Sequence, residues 1–289
     1  MELKLVRFKE GLLCPYCQGR EIVLWGKRKN IQRYRCKSCR KLFNDLTGTP
    51  MARTKLLEKW PKMAVALQQS MTLHQTAEYV GISVDTAFRW RHRLLAGLRE
   101  ARSRIELTGV VEIDETFFRY SEKGSRRLLR KPRKRGSGNR LRGRSKAQVY
   151  AVIAKSRTGG TRSFLLRQMS GRSLLAEAGT AISPGSVLCS DSWRSYRSFA
   201  RQRGLKHVSL NMSKGQRVVH GIYHIQGVNS YHSRLKIWIG RFHGVATKYL
   251  LNYLVWHEYL DESRRLHYTL SAQEMFSMAL GTTPLLRAA

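Results

Sequence analysis

Residues 110–118 read Val110-Val111-Glu112-Ile113-Asp114-Glu115-Thr116-Phe117-Phe118, and this stretch decides the fold of the larger part of the chain. β-Branched and aromatic residues dominate it, so it predicts a β-strand. It nevertheless carries an acid, Asp114, near its centre. A charge inside a strand is tolerated mainly where it is paired or binds a cation. We therefore take Asp114 as a candidate functional residue.

The sequence after this strand alternates between strand-like and helical patterns. Apolar runs predict further strands at 148–154, 162–167, 186–191 and 207–210, and helical stretches at 171–182, at 194–199 and from about 228 onward. Three strands, a helix, a strand that ends in an acid, a helix, a strand and a helix is the element order of an RNase H-like domain. We therefore predict an α/β RNase H-like core, a mixed five-stranded sheet flanked by helices, over residues 106–265.

In that fold, acidic groups from the first strand, the fourth strand and a later helix meet around two divalent ions. The acid of the predicted fourth strand is Asp191. Mg²⁺ prefers hard oxygen ligands, and a pair of ions about 3.5–4 Å apart activates one oxygen and stabilises another during phosphoryl transfer. An Asp at a strand end also often serves as a turn or helix cap, and for Asp191 by itself that alternative stays open.

Four of the five cysteines form two C-x-x-C pairs, with eighteen residues between Cys17 and Cys36. This spacing is typical of a four-thiolate zinc site, and the segment between the pairs predicts a hairpin turning at 27–30. Vicinal disulfides, a redox pair or an iron–sulfur site fit the doubled spacing less well. We predict a zinc ribbon over residues 1–50, in which a structural Zn²⁺ supplies much of the folding free energy. Its ligands would be Cys14, Cys17, Cys36 and Cys39.

Apolar positions recur at helical spacing from residue 55 to about residue 98. Gly81 would permit a tight turn, and Ser83 would cap the helix that follows. The pattern predicts a helix-turn-helix DNA-binding segment over 51–105, although a helical hairpin without a DNA role remains an alternative. The basic side chains expected to face DNA from its second helix are Arg89, Arg91 and Arg93.

Lys and Arg number 54 against 19 Asp and Glu, which gives a formal net charge of +35. Such a field concentrates polyanions, so nucleic acid or an anionic membrane surface is the expected partner. A hydrophobic fraction of 42% supports packed cores and excludes a disordered basic tail. The chain has no apolar run of about 18 residues and its start lacks an apolar signal-peptide core, so we expect no membrane partner and a cytoplasmic location.

Twelve of the basic residues fall within residues 123 to 146, a stretch that contains no acid. Like charges at this density repel one another unless a polyanion neutralises them. We predict that residues 121–147 form a basic insertion in the catalytic domain and contact DNA phosphates without sequence preference. The candidate contacts are Arg130, Lys131, Arg133, Lys134, Arg135, Arg140, Arg142 and Arg144.

Residues 229–254 read NSYHSRLKIWIGRFHGVATKYLLNYL. This block resembles the third active-site block of bacterial insertion-sequence transposases that carry an N-terminal zinc ribbon, the DDE type with an ISXO-like transposase domain. Residues 111–116 resemble the family's first block, and residues 190–193 resemble its second. The resemblance covers nearly the whole chain and rests on several motifs in the same order.

Members of this family carry Asp, Asp and usually Glu as metal ligands, with a Lys two helical turns after the third. The resemblance places the two metal-binding aspartates on Asp114 and Asp191, and the Lys, which would hold a DNA phosphate, on Lys236. The position seven residues before Lys236 is Asn229, a departure that some branches of the family share. An Asn offers a neutral oxygen and should bind the cation more weakly than a carboxylate.

Two neighbours compete with Asn229 for the third ligand position. His232 lies one helical turn later and shares a helix face with Asn229 and Lys236. On the first strand, Glu112 is the better substitute ligand, because Glu115 should point to the opposite face.

The resemblance implies a DNA transposase that binds the terminal inverted repeats of an insertion sequence and catalyses metal-dependent strand cleavage and strand transfer. The expected partners are double-stranded DNA, both repeats and target, and further copies of the chain in a homodimer or higher homo-oligomer. Two Mg²⁺ or Mn²⁺ would serve catalysis. The main alternative is an inactive DNA-binding regulator derived from a transposase, and a zinc-ribbon transcription or RNA-processing factor is a weaker one. Residues 266–289 predict a C-terminal helix and tail without an assigned role.

Overall fold

The computed structural model describes residues 8, 11–128, 131–132, 147–265 and 272–281. The chain divides into two compact units, one of Met1–Arg102 with Tyr268–Ala289 and the other of Ser103–His267. The predicted ribbon and nearly all of the predicted helical segment fall in the first unit, as does the C-terminal helix at 272–281. Within the described ranges, no helix has the length and apolar character that a membrane crossing requires.

A three-stranded antiparallel sheet opens the first unit, with β1 (Ile22–Arg28), β2 (Ile31–Cys36) and β3 (Leu42–Asn44) in that order. Lys29 and Asn30 join β1 to β2, and both have positive φ, 51° and 59°. Two successive residues with positive φ form the tight turn that matches the twist of a hairpin. The hairpin expected from the sequence is therefore present, and β3 adds a strand too short to show in the pattern.

The other elements of the first unit are helices: α1 (Trp60–Gln68), α2 (Leu73–Val80), α3 (Val84–Ser103) and the C-terminal helix (Ala272–Gly281). The indole rings of Trp60 and Trp90 stack with centroids 4.3 Å apart, so α1 and α3 share a buried aromatic contact. Gly97 lies against the C-terminal helix, where an added Cβ would stand 2.4 Å from the Ala279 carbonyl oxygen. The C-terminal helix is thus a packed part of this unit.

The turn between α2 and α3 has the chemistry expected from the sequence. Gly81 ends α2 with φ 70°, a left-handed conformation that glycine adopts without strain. The hydroxyl of Ser83 then accepts a hydrogen bond from the Thr86 backbone N–H at 3.2 Å, which caps the start of α3.

The second unit is built on a five-stranded sheet, in which the strand order is β6-β5-β4-β7-β8. β5 pairs antiparallel with β4 and β6, whereas β7 pairs parallel with β4 and β8. The prediction of a mixed five-stranded sheet is confirmed. The strands are β4 (Val110–Arg119), β5 (Gln148–Ser156), β6 (Thr161–Leu166), β7 (Val187–Asp191) and β8 (Lys206–Leu210).

Helices flank the sheet in the predicted order: α4 (Gly171–Ala178), α5 (Arg194–Arg203), α6 (Gln226–Gly240) and α7 (Thr247–Arg265). Successive residues of a strand point to opposite faces. Val111 and Ile113 of β4 pack into the core that α4 and α5 cover. Glu112 and Asp114 therefore point to the other face, toward α6, and this alternation brings the acid of β4 to the helix that follows the last strand.

Candidate active site and metal centre

Asp114 and Asp191 lie on neighbouring parallel strands. The register pairs Glu112 of β4 with Cys189 of β7, so two residues further along each strand Asp114 comes beside Asp191 on the same face. Asp191 is the last residue of β7, and its Oδ1 accepts the Trp193 backbone N–H at 3.0 Å. That bond fixes the carboxylate where the strand turns into α5, so the strand end positions this acid rigidly.

The electrostatics of Asp114 follow from this placement. Burial, assisted by the negative charges of Glu115 and Asp191, raises the pKa of Asp114 to about 7, although Lys236 opposes the shift. A carboxylate in such surroundings is stabilised by taking up a proton or by a nearby cation. The site therefore favours a bound positive charge.

Helix α6 brings two further groups to the pair of acids. The Nδ1 atom of His232 lies 3.6 Å from Oδ2 of Asp114. Its Nε2 is buried and has no hydrogen-bond partner among the described residues. Burial, together with the charge of Lys236, lowers the pKa of His232 to about 4, so the imidazole is neutral near neutral pH. Lys236 itself is exposed and lies close enough to act on both Asp114 and His232.

Asn229 occupies the turn of α6 before His232, and its side chain is exposed to solvent. Its spacing of three residues from His232 and seven from Lys236 puts the three side chains along one helix face. The structure thus brings Asp114, Asp191, His232 and Lys236 together and places Asn229 beside them at the exposed end.

Glu112 is not available as a substitute ligand, which corrects the expectation from the sequence. It is 2% exposed. Its Oε1 accepts from Nε of Arg157 at 3.1 Å and lies 3.3 Å from Nδ1 of His224, while its Oε2 accepts the Val228 backbone N–H at 3.0 Å. Both oxygens are therefore engaged. Glu115 points to the opposite face as predicted, where the Tyr196 hydroxyl donates to it at 2.7 Å.

The four paired cysteines converge in the first unit, where their sulfur atoms all lie within 4.8 Å of one another. Among the described residues this is the one group of three or more His, Cys, Asp or Glu drawn so close. The Sγ separations are 3.5 Å for Cys14 and Cys39 and 3.6 Å for Cys17 and Cys36. Tetrahedral Zn–S bonds of about 2.3 Å require sulfurs about 3.8 Å apart, so the cluster could hold zinc.

Ionisation of one of these thiols is already favoured by the fold. A hydrogen bond from the backbone of Cys39 lowers the pKa of Cys36 to about 6, whereas burial raises the pKa of Cys14 to about 12. Because a metal binds the thiolate, Cys36 is prepared for coordination. The small core around it, Cys14, Tyr34, Cys36 and Phe43, holds little apolar surface of its own.

The family described as the ISXO2-like transposase domain matches residues 106–259, more than half of the chain. The chain belongs to this transposase family. An uncharacterized protein in transposable element ISH50 of Halobacterium salinarum is 26% identical over 268 residues, 87% of this chain and 86% of that protein. The resemblance to insertion-sequence transposases drawn from the sequence is thus confirmed.

Two solved structures also align with this ISXO2-like chain at 12% identity. A pre-cleavage Mos1 transpososome covers 79% of this chain and 80% of its own, with a TM-score of 0.22. A Mos1 transposase paired-end complex with the left transposon end covers 80% and 81%, with a TM-score of 0.21. Similarity at these TM-scores adds nothing to the fold described above.

The three arginines expected to face DNA from α3 of the ISXO2-like protein differ in exposure. Arg89 is exposed and pairs with Asp85 at 2.7 Å. Arg93 is exposed and donates to the Ala52 carbonyl oxygen at 3.0 Å. Arg91 is completely buried, and its guanidinium donates to the Met71 carbonyl at 2.7 Å and to the Thr76 hydroxyl at 2.9 Å. The prediction that Arg91 faces DNA is therefore wrong.

A groove of about 880 Å³ in the first unit collects basic residues that the sequence did not single out. Arg93 lies in it, together with Arg33, Arg53 and Arg99, and Glu100 is its one acid. The Nε of Arg33 is buried and has no hydrogen-bond partner among the described residues. These arginines come from three separate segments of the chain. No periodic pattern in the sequence connects them, so the sequence does not predict that they line one groove.

Most of the predicted basic insertion lies outside the described residues. This holds for Arg130, Arg133, Lys134, Arg135, Arg140, Arg142 and Arg144. Lys131 is described, and it is exposed.

Proposed function

We propose that this protein binds the terminal inverted repeats of an insertion sequence and catalyses metal-dependent cleavage and transfer of DNA strands. The observation that carries the proposal is the placement of Asp114 beside Asp191, with His232 and Lys236 of α6 against them. Paired carboxylates on adjacent strand ends are a suitable donor set for divalent cations.

The residues present fit Mg²⁺ or Mn²⁺. Carboxylate and amide oxygens are hard donors, whereas imidazole better suits Zn²⁺, Cu²⁺ or Fe²⁺. We therefore assign the cation ligands to Asp114, Asp191 and the side-chain oxygen of Asn229, and give His232 the task of orienting Asp114. Two divalent cations, when bound, would supply the positive charge that activates an attacking oxygen and stabilises a leaving one.

The chain's own groups then position the DNA. The exposed Lys236 would hold a phosphate next to the bond that breaks, because its charge acts on Asp114 from the same helix as Asn229. Water first attacks a phosphorus at the repeat end, and the P–O bond to the 3′ oxygen breaks and leaves a 3′ hydroxyl. That hydroxyl would then attack a target phosphodiester in the same in-line manner, and the target's own 3′ oxygen would leave as a new 3′ hydroxyl. No covalent enzyme intermediate is required.

We assign recognition of the repeats to the first unit. The α2–turn–α3 arrangement supports a helix-turn-helix, and Arg89 and Arg93 are its exposed basic side chains. The arginine-lined groove would add contacts to phosphates, as would the basic insertion. A structural Zn²⁺ would hold the ribbon. Joining two ends requires two active sites, so we propose a homodimer or a larger assembly.

The competing function is that of a DNA-binding regulator without catalysis, and the neutral Asn229 favours it. The two functions separate in a nicking assay on a duplex that carries the terminal repeat from DNA flanking the gene, with Mg²⁺ or Mn²⁺. We expect nicking at the repeat end by the wild type and by Glu177→Ala, a control at an exposed acid on α4. Asp114→Ala should bind the duplex without nicking it. Tight binding without nicking by the wild type would make the protein a regulator.

A further inference from the structure

Glu112 is a buried carboxylate that the proposed chemistry does not use. It lies two residues before Asp114 on the same face of β4. An isolated carboxylate buried to this extent is unfavourable unless it is paired and hydrogen-bonded. Its partners are Arg157 at the end of β5, His224, and the Val228 N–H in the first turn of α6.

Arg157 extends this contact to the segment that leads into α6. Its Nη1 donates to the Ile222 carbonyl oxygen at 2.5 Å, and its Nη2 donates to the His224 carbonyl oxygen at 3.3 Å. One guanidinium therefore binds the strand carboxylate and two carbonyls of the loop before the helix. The start of α6 is tied to β4 by side-chain and backbone bonds at the same time.

Gly227 allows the helix to come this close. A Cβ at this position would lie 2.8 Å from Oε2 of Glu112 and 3.2 Å from both Cδ and Oε1. Any other residue would force either the carboxylate or the helix start to shift, and the carboxylate is itself held by Arg157 and by the Val228 N–H. The requirement for glycine is steric, and it comes from Glu112.

We infer that Glu112, Arg157 and Gly227 form a clamp that sets the distance of α6 from Asp114. The inference rests on the proposed function, because α6 carries Asn229, His232 and Lys236. Glu112 is then a positioning residue, which places the third cation ligand and the phosphate-binding lysine without touching either the cation or DNA. A misplacement of about 1 Å can lower a reaction rate about 100-fold.

The clamp predicts a specific pattern of loss in the full-length protein. Gly227→Ala should lower the rate of repeat-end nicking at saturating DNA by about 100-fold, with unchanged affinity for the repeat. Glu112→Gln should also lower the rate at unchanged repeat affinity, because the amide keeps the length of the side chain but loses one of the two oxygens that accept from Arg157 and Val228. Gly240→Ala is the matched control on the same helix, since a Cβ there meets nothing within 4 Å. It should nick like the wild type.

Rates are measured per folded molecule, and thermal unfolding is followed in parallel. Normal nicking by Gly227→Ala would overturn the clamp. So would nicking at the wild-type rate by Glu112→Gln, which would show that the carboxylate does not position the helix. If the wild type itself neither nicks the repeat nor binds Mn²⁺ at the two aspartates, the proposed function has failed, and the clamp fails with it. Measurements on the wild type alone therefore distinguish a failure of the proposed function from a failure of the clamp.

Discussion

The Nδ1 atom of His232 lies 3.6 Å from Oδ2 of Asp114, and this contact links α6, the helix after the last strand of the sheet, to the acid in its first strand. The contact leaves Nε2 of the ring buried without a partner among the described residues. A neutral imidazole in this position can orient the carboxylate, and in the proposed function the side-chain oxygen of Asn229 would meet the cation from the exposed side of the same helix.

This division of roles predicts how the third ligand responds to mutation. Asn229→Asp adds a charged oxygen and should shift the Mg²⁺ concentration for half-maximal nicking about tenfold lower, because carboxylates bind the ion more strongly. Asn229→Ala should shift it upward or abolish nicking. Gly240→Ala, an exposed change on the same helix whose added Cβ meets nothing within 4 Å, serves as the control. A metal dependence altered by His232→Ala but not by either Asn229 variant would show that the ligand has been misassigned.

Substitutions at Arg91 and Arg89 should distinguish a residue needed for stability from a residue needed for DNA binding. Arg91→Ala removes a buried guanidinium that bonds Met71 and Thr76, and it should lower the free energy of unfolding by about 2–3 kcal/mol. Arg89→Ala removes an exposed partner of Asp85 and should change that free energy by less than about 1 kcal/mol. Chemical denaturation measures both free energies of unfolding, and titration of the terminal-repeat duplex at fixed salt should show weaker binding by Arg89→Ala. Equal loss of stability in both variants would contradict the assigned burial.

The different burial of Arg91 and Arg89 shows which structural features the sequence patterns do not predict. Runs of apolar and β-branched residues predicted the strands. The order of the elements predicted the mixed sheet, with Asp114 and Asp191 on two of its strands. Its basic neighbours on α3 suggested a DNA-facing role for Arg91, yet its long side chain reaches a carbonyl twenty residues earlier in the chain. A contact of that kind depends on tertiary packing and leaves no local pattern.

The contacts of Glu112 at the candidate active site also depend on tertiary packing that the sequence pattern does not predict. Strand alternation correctly put it on the face of Asp114, and this made it a reasonable substitute ligand. Its oxygens are instead taken by Arg157 and by the N–H of Val228, which is 116 positions away in the chain. The three-residue strand β3 and the packing of the C-terminal helix at Gly97 were missed for similar reasons, because neither has a periodic signal of its own.

Removal of zinc should affect the first unit selectively. The ribbon core is small, so a strong Zn²⁺ chelator or Cys17→Ser should unfold residues 11–44 and abolish binding to the terminal repeat. The second unit has its own apolar core and should keep its protection from hydrogen exchange. Metal analysis should give about one zinc per chain. Full repeat binding after complete zinc removal would contradict a structural role for the metal.

His257 predicts a loss of stability in acid. Burial lowers its pKa to about 4, assisted by Arg234, Arg264 and Lys155 and opposed by Asp261. The unfolded chain, with an ordinary histidine pKa near 6.5, binds the proton more readily. Stability is therefore fully present above about pH 6.5 and declines as the pH falls toward 4, by about 3 kcal/mol at most.

The control for this effect is His257→Gln, which cannot titrate. Its free energy of unfolding should fall less steeply between pH 6.5 and 4 than that of the wild type, and the buried His232 should account for part of the slope that remains. Identical slopes in the two proteins would contradict the assignment to His257.

The most direct test of the account is the joining step. The substrate is a duplex that carries the terminal repeat with its 3′ hydroxyl already exposed, mixed with a supercoiled plasmid and Mg²⁺ or Mn²⁺. We predict that the wild type joins the 3′ end covalently to the plasmid, whereas Asp191→Asn binds the repeat equally well and joins nothing. If the wild type binds the exposed end but never joins it, or if Asp191→Asn joins it at the wild-type rate, the two aspartates do not carry transposition.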